Sequence, residues 1–210
     1  EDSMKFGLWV TANHPADADM TQVFHDLAEQ VRLARDVGFS IVTSGQHYLT
    51  APSQRLQTLP LLARLAADAG DMEIGTSVLL LPLHNPVDIA EQVVTLDVMT
   101  NGRFILGLGT QIRPHITKRF SMEWSRPAAR MREMVMAIRA IWDCWNNDTP
   151  LAFRGEFYRH TLMIPFFNPG PNRYGTPKVF LAAVGPRMSE VAGEVCDGIA
   201  LHPLSTPKYL

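Results

Sequence analysis

Only two cysteines, Cys144 and Cys196, occur in the 210 residues, far apart and outside any CxxC spacing. That argues against a disulfide-stapled secreted scaffold or a cysteine-rich zinc site, and a reducing, cytoplasmic setting is expected. Long hydrophobic runs are also missing. The longest nearly apolar stretch, around Val78 to Leu83, falls far short of the roughly 20 residues needed to cross a bilayer, so no membrane partner is expected. Neither sign of charge dominates: 19 basic against 21 acidic residues give a net charge of -2, which offers nucleic acid no basic surface. No GxxxxGK[ST], GxSxG or HExxH occurs and the seven histidines are scattered, so phosphate-loop, nucleophile-elbow and zinc-protease chemistries lack their motifs, and no metal site is expected. What is present is 46% apolar and 19% charged residues, enough to bury a sizeable core in one globular domain, expected over 4–210.

Strand-like and helical runs alternate along the chain. Met4 to Val10 is short and rich in strand formers, and Met20 to Val37 then places Val23, Phe24, Leu27, Val31 and Ala34 on one helical face before Gly38 stops it. Phe39 to Ser44 is a second strand, followed by a helix carrying Leu59, Leu62, Ala63 and Ala66 up to Gly70. Met72 to Leu81 is a third. Its helix begins at Asn85-Pro86, a side-chain cap followed by a proline whose missing N–H is not needed there, and ends at Asn101-Gly102. Arg103 to Gly109 is the fourth strand. The spacing of roughly 30 residues is that of a βα repeat, which implies parallel strands with right-handed crossovers. Met131, Met134, Val135, Ile138, Ile141, Trp142 and Trp145 keep helical spacing, but the next strand waits until Lys178. Residues 146–177 therefore read as an insertion, with Gly155-Glu156-Phe157-Tyr158 as a short hairpin. Lys178 to Val184, a helix near Met188 to Cys196, and Ile199 to His202 resume the rhythm, and Thr206-Pro207 reads as another helix entry. A closed (β/α)8 barrel uses eight strands and about 250 residues. Six strands leave either an open sheet or a truncated barrel.

Gly107-Leu108-Gly109 begins like a dinucleotide fingerprint, but the sixth position is Ile112 and Pro114 argues against a following helix, so the Rossmann reading is weak. Polar groups recur where strands end: Thr11, Ser44-Gly45-Gln46-His47, Ser77, Thr110-Gln111, Gly185-Pro186-Arg187 and His202. In a barrel these endings share one rim, where function sits. Residues 101–139 hold eight basic residues against two acidic ones, which reads either as a solvated face paired to the first helix or as a collar for an anionic ligand. Trp142, Trp145, Phe166 and Phe167 offer an apolar patch for a homodimer.

The residues also carry a resemblance. Lys5-Phe6-Gly7-Leu8-Trp9, Gly75-Thr76-Ser77-Val78-Leu79 through Asn85-Pro86, and Asn101-Gly102-Arg103-Phe104-Ile105-Leu106-Gly107-Leu108-Gly109 resemble the bacterial luciferase-like family of flavin and deazaflavin oxidoreductases. So do Arg126-Pro127-Ala128-Ala129-Arg130-Met131-Arg132-Glu133, the Phe153 to Tyr158 hairpin and Ala183-Val184-Gly185-Pro186. Leu108-Gly109-Thr110-Gln111 and the Pro165 to Pro171 loop are similar to a subgroup dependent on coenzyme F420. The resemblance implies an α/β fold, a (β/α)8 TIM barrel truncated here after six strands, and an oxidoreductase moving a hydride between F420 and a small organic substrate. FMN-dependent monooxygenation and a non-catalytic flavin-binding subunit are the alternatives.

Site residues follow from the same resemblance. The cofactor ring is expected near Trp9, Thr110 and a cis peptide between Ser77 and Val78, with Leu79 beside it. Its phosphate is expected near Val184, Gly185 and Arg187, and His47 is the expected catalytic acid-base residue. Two positions depart from the family's pattern. Gln46 and Ile112 stand where other members carry acids.

Overall fold

The computed structural model describes residues 4–10, 14–15, 17–48, 56–202 and 205–206. The strand ending Thr11 lies outside them, as does Pro207 of the expected last helix. The elements follow the chain as β1 (Gly7–Val10), α1 (Met20–Asp36), β2 (Ile41–Ser44), α2 (Thr58–Ala69), β3 (Glu73–Thr76), β4 (Leu79–Leu80), α3 (Pro86–Met99) and β5 (Phe104–Gly109). They continue with α4 (Arg113–Lys118), α5 (Pro127–Asn147), β6 (Phe153–Arg154), β7 (Arg159–His160), β8 (Lys178–Ala182), α6 (Pro186–Val195) and β9 (Gly198–Ala200).

The sheet runs β1-β2-β3-β5-β8-β9, each neighbour parallel to the last, with β4 attached to the end of β5. Spatial order equals chain order, so no reversal point sends helices to the second face as a doubly wound sheet would. The result is a parallel half-barrel of six main strands, as a truncated luciferase-like barrel requires.

Alternation along the strands sorts the two faces. Val10, Val42, Ile74, Phe104, Leu106, Leu108, Val179 and Leu181 join one core with Leu27 and Val31 of α1, Leu62 and Leu65 of α2, Ile89 and Val93 of α3 and Met131, Met134 and Ile138 of α5. The opposite face carries Ile41, Thr43, Ile105 and Phe180 among many small residues. Gly7, Gly75, Gly107, Gly109 and Ala182 recur on it, and Trp9 of β1 is half exposed at 54%. Capping explains why the helices start where they do. Asp19 accepts from the Thr21 N–H at 2.9 Å, and Asn85 accepts from the Val87 N–H at 3.1 Å ahead of Pro86.

Between α5 and β8 the chain makes an antiparallel ribbon of β6 and β7 whose turn is Gly155 to Tyr158. Glu133 of α5 anchors it: its carboxylate accepts the N–H groups of Glu156, Phe157 and Tyr158 at 2.9, 2.7 and 2.6 Å. Farther along, the Asn172 amide donates to Asp97 Oδ2 at 2.7 Å and the Tyr174 hydroxyl donates to Asn101 Oδ1 at 3.0 Å. The segment is thus tied to both α5 and the α3–β5 corner.

Three expectations are corrected. A helix, α4, does follow β5, with Pro114 in its first turn, where its missing N–H costs nothing. Trp142 and Trp145 belong to the core at 1% and 3% exposure, the Trp142 indole donating to Ala90 O at 3.2 Å, which leaves Phe166 and Phe167 as the exposed pair. Among the described residues no ion pair joins the basic residues after Asn101 to α1. Arg103 meets Asp71, Arg126 meets Glu156, Arg132 meets Glu194 and Arg139 meets Asp197.

Candidate functional site

The third strand breaks at Ser77 and resumes at Leu79, and the peptide between Ser77 and Val78 is cis. Side chains hold the chain where the ladder stops. The Thr76 hydroxyl donates to Gly107 O and accepts from Gly107 N, both at 2.8 Å, taking the place of a ladder pair between β3 and β5. On the other side Gln46 acts as a hub. Its backbone N–H donates to Val78 O at 3.1 Å and its side-chain Oε1 accepts from Leu80 N at 2.8 Å and from His84 Nε2 at 3.2 Å. The amide nitrogen of Gln46 donates to the Tyr48 hydroxyl at 2.7 Å. This amide is nearly buried at 5%, with both acceptor sites of its oxygen and one of its two N–H donors engaged, so it serves as a fixed strut.

Close approach at the break is allowed by glycine. A Cβ on Gly45 would lie 2.8 Å from Ser77 O, and one on Gly109 would lie 2.5 Å from Val78 Cγ2. On Gly107 it would run into Thr76 O. Glycine at these positions lets the neighbouring strands and the break approach closely, and a cleft of about 410 Å³ opens beside Gly45 and Gly109. Gly45, Gln46, His47, Ser77, Val78, Gly109, Thr110, Gln111, Ile112 and Val184 are among its walls. His47 is exposed there, and its ring has no hydrogen-bond partner among the described residues.

A second cavity of about 530 Å³ adjoins the first and shares Thr110, Ala182 and Val184 with it. Its walls are the opening turns of α5, from Arg126 to Ala129, and of α6, from Gly185 to Met188. Neither helix carries a side-chain cap, and Arg187 forms no ion pair among the described residues. Unpaired N–H groups and a free guanidinium make this end of the trough electropositive.

Of the residues expected at the site, His47, Ser77, Val78 and Thr110 line the first cleft, Val184 and Thr110 join the two, and Gly185 and Arg187 line the second. Leu79 does not: its side chain is fully buried in the core behind the break. Trp9 lines neither cleft, although its ring edge lies 3.6 Å from where a Gly45 Cβ would sit. His202, exposed beyond β9, lines neither as well. Among the described residues, no cluster of three or more His, Cys, Asp or Glu is placed to hold a metal.

Residues 4–210 match the family described as luciferase-like monooxygenase. The chain belongs to this family. An uncharacterized protein of Mycobacterium tuberculosis is 50% identical over 162 residues, 77% of this chain and 47% of that protein. A putative coenzyme F420-dependent oxidoreductase of the same organism is 29% identical over 184 residues, 81% of this chain and 49% of that one. The luciferase-like chain spans about half the length of the curated relatives it matches. Among solved structures, a monooxygenase from Streptomyces bottropensis superposes with a TM-score of 0.82 at 24% identity, covering 98% of this chain and 61% of that one. The oxygenating constituent of 3,6-diketocamphane monooxygenase of Pseudomonas putida, solved with FMN, superposes with a TM-score of 0.74 at 18% identity and covers 91% and 56%. At these identities the structural likeness establishes the fold. The family contains both F420-dependent and FMN-dependent oxidoreductases.

Proposed function

We propose that this protein is an oxidoreductase that moves a hydride between coenzyme F420 and a small organic substrate. The observation that carries the reading is the continuous trough: a bowl lined by Ser77 and Val78 and bordered by Gly45 and Gly109, running into an electropositive pocket at Gly185 and Arg187. A flat ring system with a phosphate-bearing side chain fits that sequence of surfaces. The relative named as a putative F420-dependent oxidoreductase supports the deazaflavin over FMN.

When bound, the deazaflavin supplies a carbon that accepts or donates hydride; the protein supplies orientation and exclusion of water. In this reading Val78, held by the Gln46 N–H and flanked by Gly109, supports one face of the ring. Gly185 lets the backbone approach the phosphate, and Arg187 adds a charge-assisted contact. His47, exposed on the cleft wall with its ring unengaged, holds or releases the substrate proton as hydride moves. Ile112, 55% exposed on the same wall, brings no second acid, so His47 works alone. No described helix is long and apolar enough to cross a membrane, and cytoplasmic action as a homodimer belongs to the same reading.

Absorbance titration of the full-length protein with F420 and with FMN, followed by turnover of the tighter ligand against alcohols and ketones, tests it. His47→Ala is expected to leave cofactor affinity within about threefold and to lower turnover by about 10²- to 10⁴-fold. Tighter binding of FMN with oxygen consumption would move the protein to the monooxygenases. Binding without turnover would leave a flavin-binding subunit.

A further inference from the structure

His47 stands exposed on the cleft wall with a ring that nothing among the described residues engages, yet the residues on either side of it are both fixed. Gln46, before it, is the strut described above. Tyr48, after it, is held at three points. Its hydroxyl accepts from Gln46 Nε2 at 2.7 Å, its ring meets Phe120 edge-on with centroids 6.0 Å apart, and its carbonyl oxygen accepts from the Arg119 guanidinium, 71 residues away in sequence.

Arg119 closes α4, which follows the other wall of the cleft. Thr110, Gln111 and Ile112 line that wall, and α4 begins at the next residue. The helix is seated by Ile116, which is completely buried, and the Met122 N–H donates back to Ile116 O at 3.0 Å. From that base the guanidinium is aimed twice more: it donates to His115 Nδ1 at 3.1 Å and lies over the Phe120 ring, 5.6 Å from its centroid. An arginine has donors only, so His115 Nδ1 is the acceptor, and Tyr48 O receives a charge-assisted bond from a group whose direction is already set. The loop after β2 and the helix after β5 are thereby joined. Position matters for the chemistry assigned to His47. Side-chain rotamers follow the backbone dihedrals, and a reacting group displaced by about 1 Å can lose on the order of 10²-fold in rate. With no partner on its ring, the imidazole takes its orientation from the two residues that flank it.

We propose that Arg119 is a positioning residue for His47: by holding Tyr48 O, with Phe120 against the Tyr48 ring, it fixes where the imidazole stands over the cleft. The inference rests on the reading of His47 as the acid-base group and adds that the competence of this wall is set from the opposite one. Arg119 lines neither cavity, so its effect passes through His47.

Two readouts on the full-length protein test this: the proton–carbon NMR resonance of the His47 ring, assigned by its disappearance in His47→Ala, and steady-state turnover of reduced F420 with a series of ketones. Arg119→Met is expected to move the resonance toward that of free histidine and to lower kcat by about tenfold, with KM and cofactor affinity within about twofold of wild type. Arg119→Lys keeps one donor for Tyr48 O and is expected to recover most of the loss. Phe120→Leu removes only the ring contact and is expected to act in the same direction by about threefold. Lys118→Met removes an exposed charge from the same helix and should change neither readout. In a His47→Ala background Arg119→Met should alter kcat by less than about twofold, because the group it positions is gone. An unmoved resonance in Arg119→Met, a loss carried by KM or by cofactor affinity, or an undiminished loss in the His47→Ala background would each overturn the assignment. Rates are taken per folded molecule; if Arg119→Met does not fold, Phe120→Leu decides by the same criteria, and if no ketone turns over, the resonance alone decides. If His47→Ala lowers turnover while Arg119→Met does not, only this inference falls. If His47→Ala leaves turnover unchanged, it falls together with the acid-base role of His47.

Discussion

The two faces of the sheet follow opposite rules. On the helix-covered face Leu106 and Leu108 of β5 are completely buried, and volume is what matters: each side chain fills space that its neighbours leave. One residue away on the same strand, Gly107 and Gly109 face the other way, and there the absence of side chains matters. The same six-residue strand thus serves as core filler on one side and lets the broken third strand approach closely on the other. Stability and function are separated by a period of two residues, and substitutions at adjacent positions should fail in different assays.

The largest effect should come from the packed side. Leu106→Ala removes a fully buried side chain of the core and is expected to cost about 2–5 kcal/mol of unfolding free energy. The molecules that remain folded should bind cofactor within about twofold of wild type, because nothing in the trough has moved. Urea melts beside titrations corrected for folded fraction check the pair of outcomes. A Leu106→Ala protein that melts normally but has lost its ligand would erase the distinction between the faces.

The complementary change is Gly109→Ala. The new methyl would press on Val78 Cγ2 at 2.5 Å, and a β-branched side chain over a fixed backbone has little room to turn. The expected cost to stability is about 1 kcal/mol, the low end for overpacking, because the surface that moves faces an open cleft. Binding should suffer more: an affinity loss of at least about tenfold is expected, since the methyl displaces Val78 on the cleft wall against which the proposed ring would rest. Equal losses of stability in Gly109→Ala and Leu106→Ala, with ligand binding intact, would show that glycine is kept here for folding alone.

The contrast also explains what could be read in advance. Strand and helix order was legible because burial on one face writes a regular pattern: Phe104, Leu106 and Leu108 at every second position, Met131 to Trp145 at helical spacing, and Asn85-Pro86 as a start signal. Ser77, Thr110 and Gly185 to Arg187 were legible as polar strand endings on one rim, but the roles given to them, and the position of Val78, came from the family resemblance, since small residues at strand ends have many local explanations. What stayed hidden depends on partners distant in sequence. The role of Gln46 needs Leu80 and His84, 34 and 38 residues away, and nothing in the local spacing announces them. Basic residues such as Arg132 and Arg139 pair with acids on and after α6, because the fold brings α5 and α6 together, while α1 lies elsewhere. Pro114 was misleading for a different reason: a proline inside a helix breaks it, but one in the first turn does not.

The subtlest difference between the faces is electrostatic and lies under the cleft, where His84 meets Gln46. A carbonyl oxygen accepts only, and Gln46 Oε1 also takes the Leu80 N–H, so the His84 proton must be on Nε2. Its Nδ1 faces Asp88 at 3.7 Å. Burial pushes the imidazole below its ordinary value, and Asp88 offsets only part of that. In the unfolded chain the same ring titrates near its ordinary value of about 6.5. As pH falls through that value the unfolded state takes up a proton that the folded state refuses, so stability is lost until the pH passes the folded-state value. His160, also lowered by burial, acts in the same direction, so the slope is shared. His84→Gln keeps an amide donor for Gln46 and removes the titration. The variant should therefore match wild type within about 1 kcal/mol at pH 8, where the imidazole is neutral in both states, and lose less stability than wild type on going to pH 5.5. An unchanged slope in urea melts at the two pH values would mean that the ring under the cleft titrates as freely as one in water.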